Sequence, residues 1–157
     1  MEFMKYEGEW YVWTLLIITI LFVIFMPKKT LTWAGIFITI LFSGGLTWIG
    51  DTIVGSIFDL FTLAKKQTIE LTDSLLISFV PAGISAIYIN FYNPKDGWIW
   101  AIVFTLLCFF LELGLVKVGY MINHDWKTWY GILVYFIVFK FFYPWYLKLL
   151  SRKLVNI

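Results

Sequence analysis

The chain has 157 residues, of which 61% are hydrophobic, 22% aromatic and only 14% charged. A soluble domain carries about 25% charged residues, and a globule of this length has too little interior for so much apolar surface, so the excess must face lipid. The net charge of +2 and the absence of a basic run interleaved with aromatics exclude nucleic acid as a partner.

Five apolar stretches approach the ~20 residues that a spanning helix needs. The first covers residues 11–26 and ends at Pro27-Lys28-Lys29. Its leading flank is acidic (Glu2, Glu7, Glu9) and no small-residue cleavage site follows, so it reads as a retained helix rather than a signal peptide. The second covers 31–49 and closes at Gly50-Asp51. The third covers 74–92, with Pro81 and Gly83 inside it and Asn93-Pro94-Lys95-Asp96-Gly97 after it. The fourth covers 98–119 and the fifth 126–150. The fold class expected is therefore all-α: one transmembrane domain over residues 1–157, an integral membrane bundle of about five helices that leaves no room for a soluble catalytic domain.

The longest break, 50–73, is not simply polar. Ile53, Val54, Ile57, Phe58, Leu60, Phe61 and Leu63 alternate with Asp51, Gly55, Ser56, Asp59, Thr62 and Lys66 at near-helical steps. This predicts a short interfacial helix between helices two and three. No GxxxG occurs, so helix contacts are expected at Gly35, Gly44, Gly45, Ala82, Gly83, Ser85, Ala86 and Gly114.

With five spans, one side carries Lys5, Lys65, Lys66 and Lys127. The other carries Lys28, Lys29, Lys95, Lys148, Arg152 and Lys153 on shorter segments. The positive-inside bias then places the N-terminus outside and the C-terminus in the cytoplasm of a multi-pass cell-membrane protein. Most of the 9 Trp and 9 Tyr fall near span ends, where rings with one polar handle anchor at the headgroup boundary.

Glu112, inside Phe109-Phe110-Leu111-Glu112-Leu113-Gly114, is the most informative polar residue. A carboxylate facing lipid costs on the order of 3 kcal/mol, so it is expected to point into the bundle. There it would contact a ligand or carry a proton. Alternatively it would tie helices together through Lys65, Lys66 or a tyrosine such as Tyr130. Lys117 lies off the Glu112 face and is expected to snorkel to the interface, as is Lys140 at the other end.

Asp51, Asp59, Glu70 and Asp73 gather with His124 and Asp125 on the proposed outer side, where they would line an acidic vestibule for a cation, an amine or a proton; the alternative is ordinary solvated loop charge, the preferred reading for Glu70 and Asp73. Asp51, at a helix end, is the stronger ligand candidate beside Glu112. Asp73 before Ser74-Leu75-Leu76 reads as a helix N-cap. Trp126 and Tyr130 would shape the mouth. With one histidine, His124, and one cysteine, Cys108, no metal site is expected, and no cofactor. There is no P-loop, GxSxG or HExxH.

The stretches Gly50-Asp51, Asp59-Leu60-Phe61, Asn90-Phe91-Tyr92-Asn93-Pro94, Glu112 and Trp126-Lys127-Thr128-Trp129-Tyr130 resemble a group of small polytopic membrane proteins frequent in endospore-forming Bacillota. The resemblance covers most of the chain and lends no activity. It departs at Gly131, where the group has a recurring serine. The chain does not resemble the five-helix tryptophan-rich sensory proteins, whose Trp-x-Pro-Pro signature is missing.

The function these residues point to is a non-enzymatic envelope protein that binds or passes a small ligand, or partners another membrane protein. Its expected partners are membrane lipid, a small molecule and further copies of the chain. Two alternatives stay open: a membrane-embedded lipid or isoprenoid enzyme using Glu112 as its catalytic acid, and a homo-oligomeric channel or effector.

Overall fold

The computed structural model describes residues 6–64 and 71–151, which form a helical bundle with one two-stranded sheet. Helix α1 is Glu9–Phe25, α2 Trp33–Asp51, α3 Leu71–Phe91 and α4 Gly97–Lys117. The last helix is continuous through α5 (Tyr130–Ile137), a π-helical turn (Val138–Phe142) and α6 (Tyr143–Leu150).

Trp33–Ile57, Leu71–Phe91, Pro94–Lys117 and Tyr130–Leu150 are long and apolar enough to cross a membrane, at 25, 21, 24 and 21 residues. Helix α1 is shorter, with 17 residues. Large apolar side chains such as Phe37, Leu41, Phe110 and Leu133 stand exposed on the perimeter. So much exposed hydrocarbon marks a membrane protein.

Helix α3 is the centre of the bundle. Of its apolar window 61% is buried, against 22% for that of α2, and both α1 and α2 pack on it. Small residues allow this. A Cβ on Gly44 of α2 would lie 2.8 Å from the Ser78 carbonyl oxygen of α3, and one on Gly83 would run into the Thr19 side chain of α1. Gly45, expected to share this role, has nothing within 4 Å. One residue along a helix is ~100° around it, so only one of two adjacent glycines can face α3.

At one end of the bundle, Asn90 at the end of α3 holds the α1–α2 connection. Its Oδ1 accepts the backbone N–H groups of Lys29, Thr30 and Leu31 at 3.0, 3.2 and 3.2 Å, and its Nδ2 donates to the Pro27 carbonyl at 2.8 Å. The turn cannot pair with itself at Pro27, which has no N–H, and this wholly buried amide supplies the missing donors and acceptors. Lys28 Nζ donates to the Val23, Ile24 and Met26 carbonyls, neutralising the free C-terminal carbonyls of α1.

The π turn in the last helix follows from Pro144. The Tyr143 N–H reaches back to Val138 O, five residues away. In that register the next donor, to Phe139 O, would be residue 144, and proline has none. The phenol of Tyr88 on α3 fills the place, donating to Phe139 O at 2.6 Å.

The helical character expected between helices two and three is confined to Thr52–Ile57, a π-helical segment continuous with α2. Asp59, at φ 51°, turns the chain into strand β1 (Phe61–Leu63). This strand pairs antiparallel with β2 (Met121–Asn123), Phe61 opposite Asn123 and Leu63 opposite Met121. Neither strand is long enough to show the alternation that would predict it. Lys5, Lys65, Lys66, Glu70, Arg152 and Lys153 lie outside the described residues.

Candidate functional site

Glu112 is buried one and a half turns inside the end of α4, only 7% exposed. Its Oε1 accepts Trp126 Nε1 at 2.8 Å, and its Oε2 accepts the phenol of Tyr135. The tyrosine that meets it is thus Tyr135 and not Tyr130, and no lysine among the described residues pairs with it. Hydrogen bonds to a charged group contribute about 1.5–3 kcal/mol each, so two of them offset a burial cost on the order of 3 kcal/mol.

Gly131 makes the approach of the last helix to Glu112 sterically possible. A Cβ at this position would lie 2.8 Å from Glu112 Oε2 and 2.9 Å from Tyr135 Cε2. Gly131 and Tyr135 are four residues apart, so one face of α5 presents both to α4.

The sheet explains how Trp126 reaches the carboxylate. Pairing of β1 with β2 brings residues 124–126 against Leu60, whose carbonyl accepts the N–H groups of His124 at 2.9 Å and Trp126 at 3.0 Å. The Trp126 ring makes T-shaped contacts with Phe61, at 6.5 Å, and Tyr130, at 5.8 Å. Tyr130 thus packs on Trp126 rather than on Glu112, and also on Trp129 at 4.3 Å.

Asp51, the last residue of α2, lies half-buried within electrostatic reach of both Glu112 and Tyr135. It makes no hydrogen bond or ion pair among the described residues. Trp126 thus bonds to Glu112 and packs on Tyr130, and Asp51 lies in electrostatic range of Glu112. Asp59 stands apart: it is exposed, ends the π segment at positive φ, and joins none of the contacts around Glu112.

The other acids at this end are structural. Glu9, 5% exposed, accepts the Tyr6 N–H, Trp13 Nε1 and the Thr72 hydroxyl, locking α1 to the start of α3. Asp73, expected as an N-cap, lies within the first turn of α3 and accepts the Tyr120 hydroxyl at 2.6 Å. His124 Nε2 is 3.3 Å from the Thr62 hydroxyl. Lys117 is exposed, and at the opposite end Lys140 Nζ sits 3.9 Å over the Trp98 ring, a cation–π contact. Among the described residues no three His, Cys, Asp or Glu side chains gather to hold a metal ion.

Tyr135 is the residue that sequence reasoning missed. A depth argument finds it: Glu112 is five residues from the end of α4 at Lys117, and Tyr135 five residues from the start of α5 at Tyr130. Antiparallel neighbours place such positions at one level. Comparison with family models, with curated proteins and with solved structures finds no match to this chain.

Proposed function

We propose that this chain is a multi-pass envelope protein that binds a small cation, such as a protonated amine, between Asp51 and Glu112, and performs no covalent chemistry on it. One observation carries the reading. Two carboxyl groups lie within electrostatic reach of each other, and neither has a basic partner among the described residues. Like charges in electrostatic range of each other in a low-dielectric site disfavour joint ionisation unless a cation or a proton intervenes. Glu112 is already held by two donors, so Asp51 is the group left to meet a ligand. Trp126 and Tyr130 add aromatic rings near Glu112, a chemistry that an ammonium group favours.

Orientation belongs to the same proposal. The acids of the site share an end with Glu9 and Asp73, while Lys28, Lys29, Lys95 and Lys148 stand at the other, which supports the site facing outward. Kinship with the small polytopic proteins of endospore formers, resting on the stretches around Asp51, Asn90 and Trp126, is part of the proposal and adds no activity to it.

The test is native mass spectrometry of the purified protein followed by calorimetric titration with primary, tertiary and quaternary amines. The expected result is saturable binding of at least one amine class that Asp51→Asn weakens while the fold persists. Wild-type protein that binds no amine of the panel overturns the reading.

A further inference from the structure

We propose that a polar seam leading from this site through the bundle carries protons across it. The proposal deepens the reading above: it rests on Asp51 and Glu112 as the acceptors at one end, and takes the cation they handle to be a proton.

The seam begins on α2, where Thr39, Ser43, Thr47 and Asp51 recur every four residues. Positions four apart stay on one face of a helix, drifting by ~40° per step. Thr39 and Ser43 are fully buried, on the side of α2 that also buries Ile36 and Gly44, and the run covers about 18 Å at 1.5 Å per residue. That is more than half of a ~30 Å hydrocarbon core.

Other helices turn polar groups toward the same line. On α4 they are Thr105, Cys108 and Glu112, at steps of three and four. On the last helix they are Tyr135, Tyr143 and Tyr146. Two links between them are hydrogen bonds, Tyr135 to Glu112 and Tyr143 to Ser85 of α3. Cys108 lies within electrostatic range of both tyrosines, and water would bridge the step between them. Ser43 sits beside Tyr143, and Thr39 beside Tyr146, in neither case with hydrogen-bonding geometry.

The decisive observation is a set of orphans. Ser43 Oγ, Thr105 Oγ1 and Tyr146 OH are buried with no hydrogen-bond partner among the described residues. Buried polar groups are nearly always satisfied, and an unsatisfied hydroxyl in a dry bundle costs more than the packing it gives. Three of the four such atoms lie along the seam, the fourth being Asn123 Oδ1 in β2, and the three fit a file of water, which needs two to four polar partners per molecule. Serine and threonine as mere helix glue do not explain them. Thr39 and Thr47 give their protons to the Gly35 and Ser43 carbonyls of their own helix at 2.7 and 2.8 Å. Their oxygen lone pairs are left to accept from the seam.

Transfer along such a line is balanced. Each water, and each hydroxyl once it turns from the carbonyl it bonds, takes a proton on a lone pair as its own O–H proton passes to the next oxygen. No bond to carbon changes and no electron moves. Charge enters at the Asp51–Glu112 pair and leaves beyond Tyr146, or the reverse, as the gradient dictates.

The experiment is proton flux into liposomes carrying the purified protein, driven by a potassium diffusion potential with valinomycin and read by an enclosed pH-sensitive dye. Wild-type protein should pass protons above protein-free vesicles. Tyr143→Phe and Thr47→Val should each lower the flux about tenfold, the effect of one missing relay group on a barrier, and the lipid-facing Phe110→Leu should not. Retained secondary structure and gel-filtration profile qualify each variant, and Thr47→Val removes only a half-buried hydroxyl should Tyr143→Phe misfold. No flux above empty vesicles, or folded Tyr143→Phe and Thr47→Val both conducting like wild type, overturns the proposal. Amine binding without proton flux overturns the relay and leaves the binding reading standing. Proton flux without amine binding does the opposite.

Discussion

Tyr135 and Glu112 meet at matched depth, each five residues inside its own helix end, and the phenol of one donates to the carboxylate of the other. Gly131 clears the space in which they meet, and Trp126 completes the shell from a loop held by the sheet. The carboxylate therefore links three parts of the chain at once.

This arrangement makes Gly131 as sensitive as the acid itself. Gly131→Ala would set a Cβ at 2.8 Å from Glu112 Oε2, forcing α5 away and separating Tyr135 from Glu112. Tyr135→Phe removes one donor without adding bulk and should lower stability by about 1–3 kcal/mol. Thermal unfolding in detergent should rank Gly131→Ala at least as damaging as Tyr135→Phe. A neutral Gly131→Ala would contradict the packing described.

Asn90 predicts a larger loss at the opposite end. Asn90→Ala strips the acceptor from three backbone N–H groups and the donor from Pro27 O. Even with water reaching part of the turn, the effect should be about 3 kcal/mol or more. Limited proteolysis should then cut the connection between Met26 and Leu31 faster than in the parent protein.

The Tyr88–Phe139 bond gives a prediction about coupling. Tyr88→Phe alone leaves Phe139 O without a donor and should destabilise by about 1–3 kcal/mol. Pro144→Ala returns an N–H that can serve the same carbonyl. In that background Tyr88→Phe should matter less, so a double-mutant cycle over the two sites should show non-additive effects of at least ~0.5 kcal/mol. Strict additivity would show that Pro144 is not the origin of the orphan carbonyl.

Adjacent glycines should respond with opposite signs. Gly44→Ala drives a methyl group to 2.8 Å from Ser78 O and should loosen the α2–α3 contact. Gly45→Ala meets open space and should be neutral or stabilising by up to ~1 kcal/mol, the helix-propensity gain. Equal effects of the two substitutions on the melting temperature would refute the assigned face.

Much of the fold was legible because hydrophobic length and composition are local properties. The apolar runs located the helices, and Glu112 announced an inward-facing position because lipid is intolerant of a carboxylate. The expected partner was misplaced to Tyr130, since a tyrosine near a helix start looks the same in sequence whichever way its ring points. Asp59 looked like a site acid for the same reason: its residue type was visible and its outward turn at positive φ was not. The three-residue strands were too short to leave a period-two signal.

By itself the sequence determined that this is an all-helical chain whose perimeter suits hydrocarbon, and that its few interior polar groups are the ones to explain. Only the tertiary structure decided which of them meet: Tyr135 and Trp126 on Glu112, Asp51 beside it, Asn90 on the Pro27 turn, Tyr88 on Phe139 O. Burial depends on each residue's own chemistry, summed along a helix. Pairing depends on how far each helix is rotated and shifted against its neighbours, and small residues at Gly44, Gly83 and Gly131 set that through contacts between segments distant in the chain.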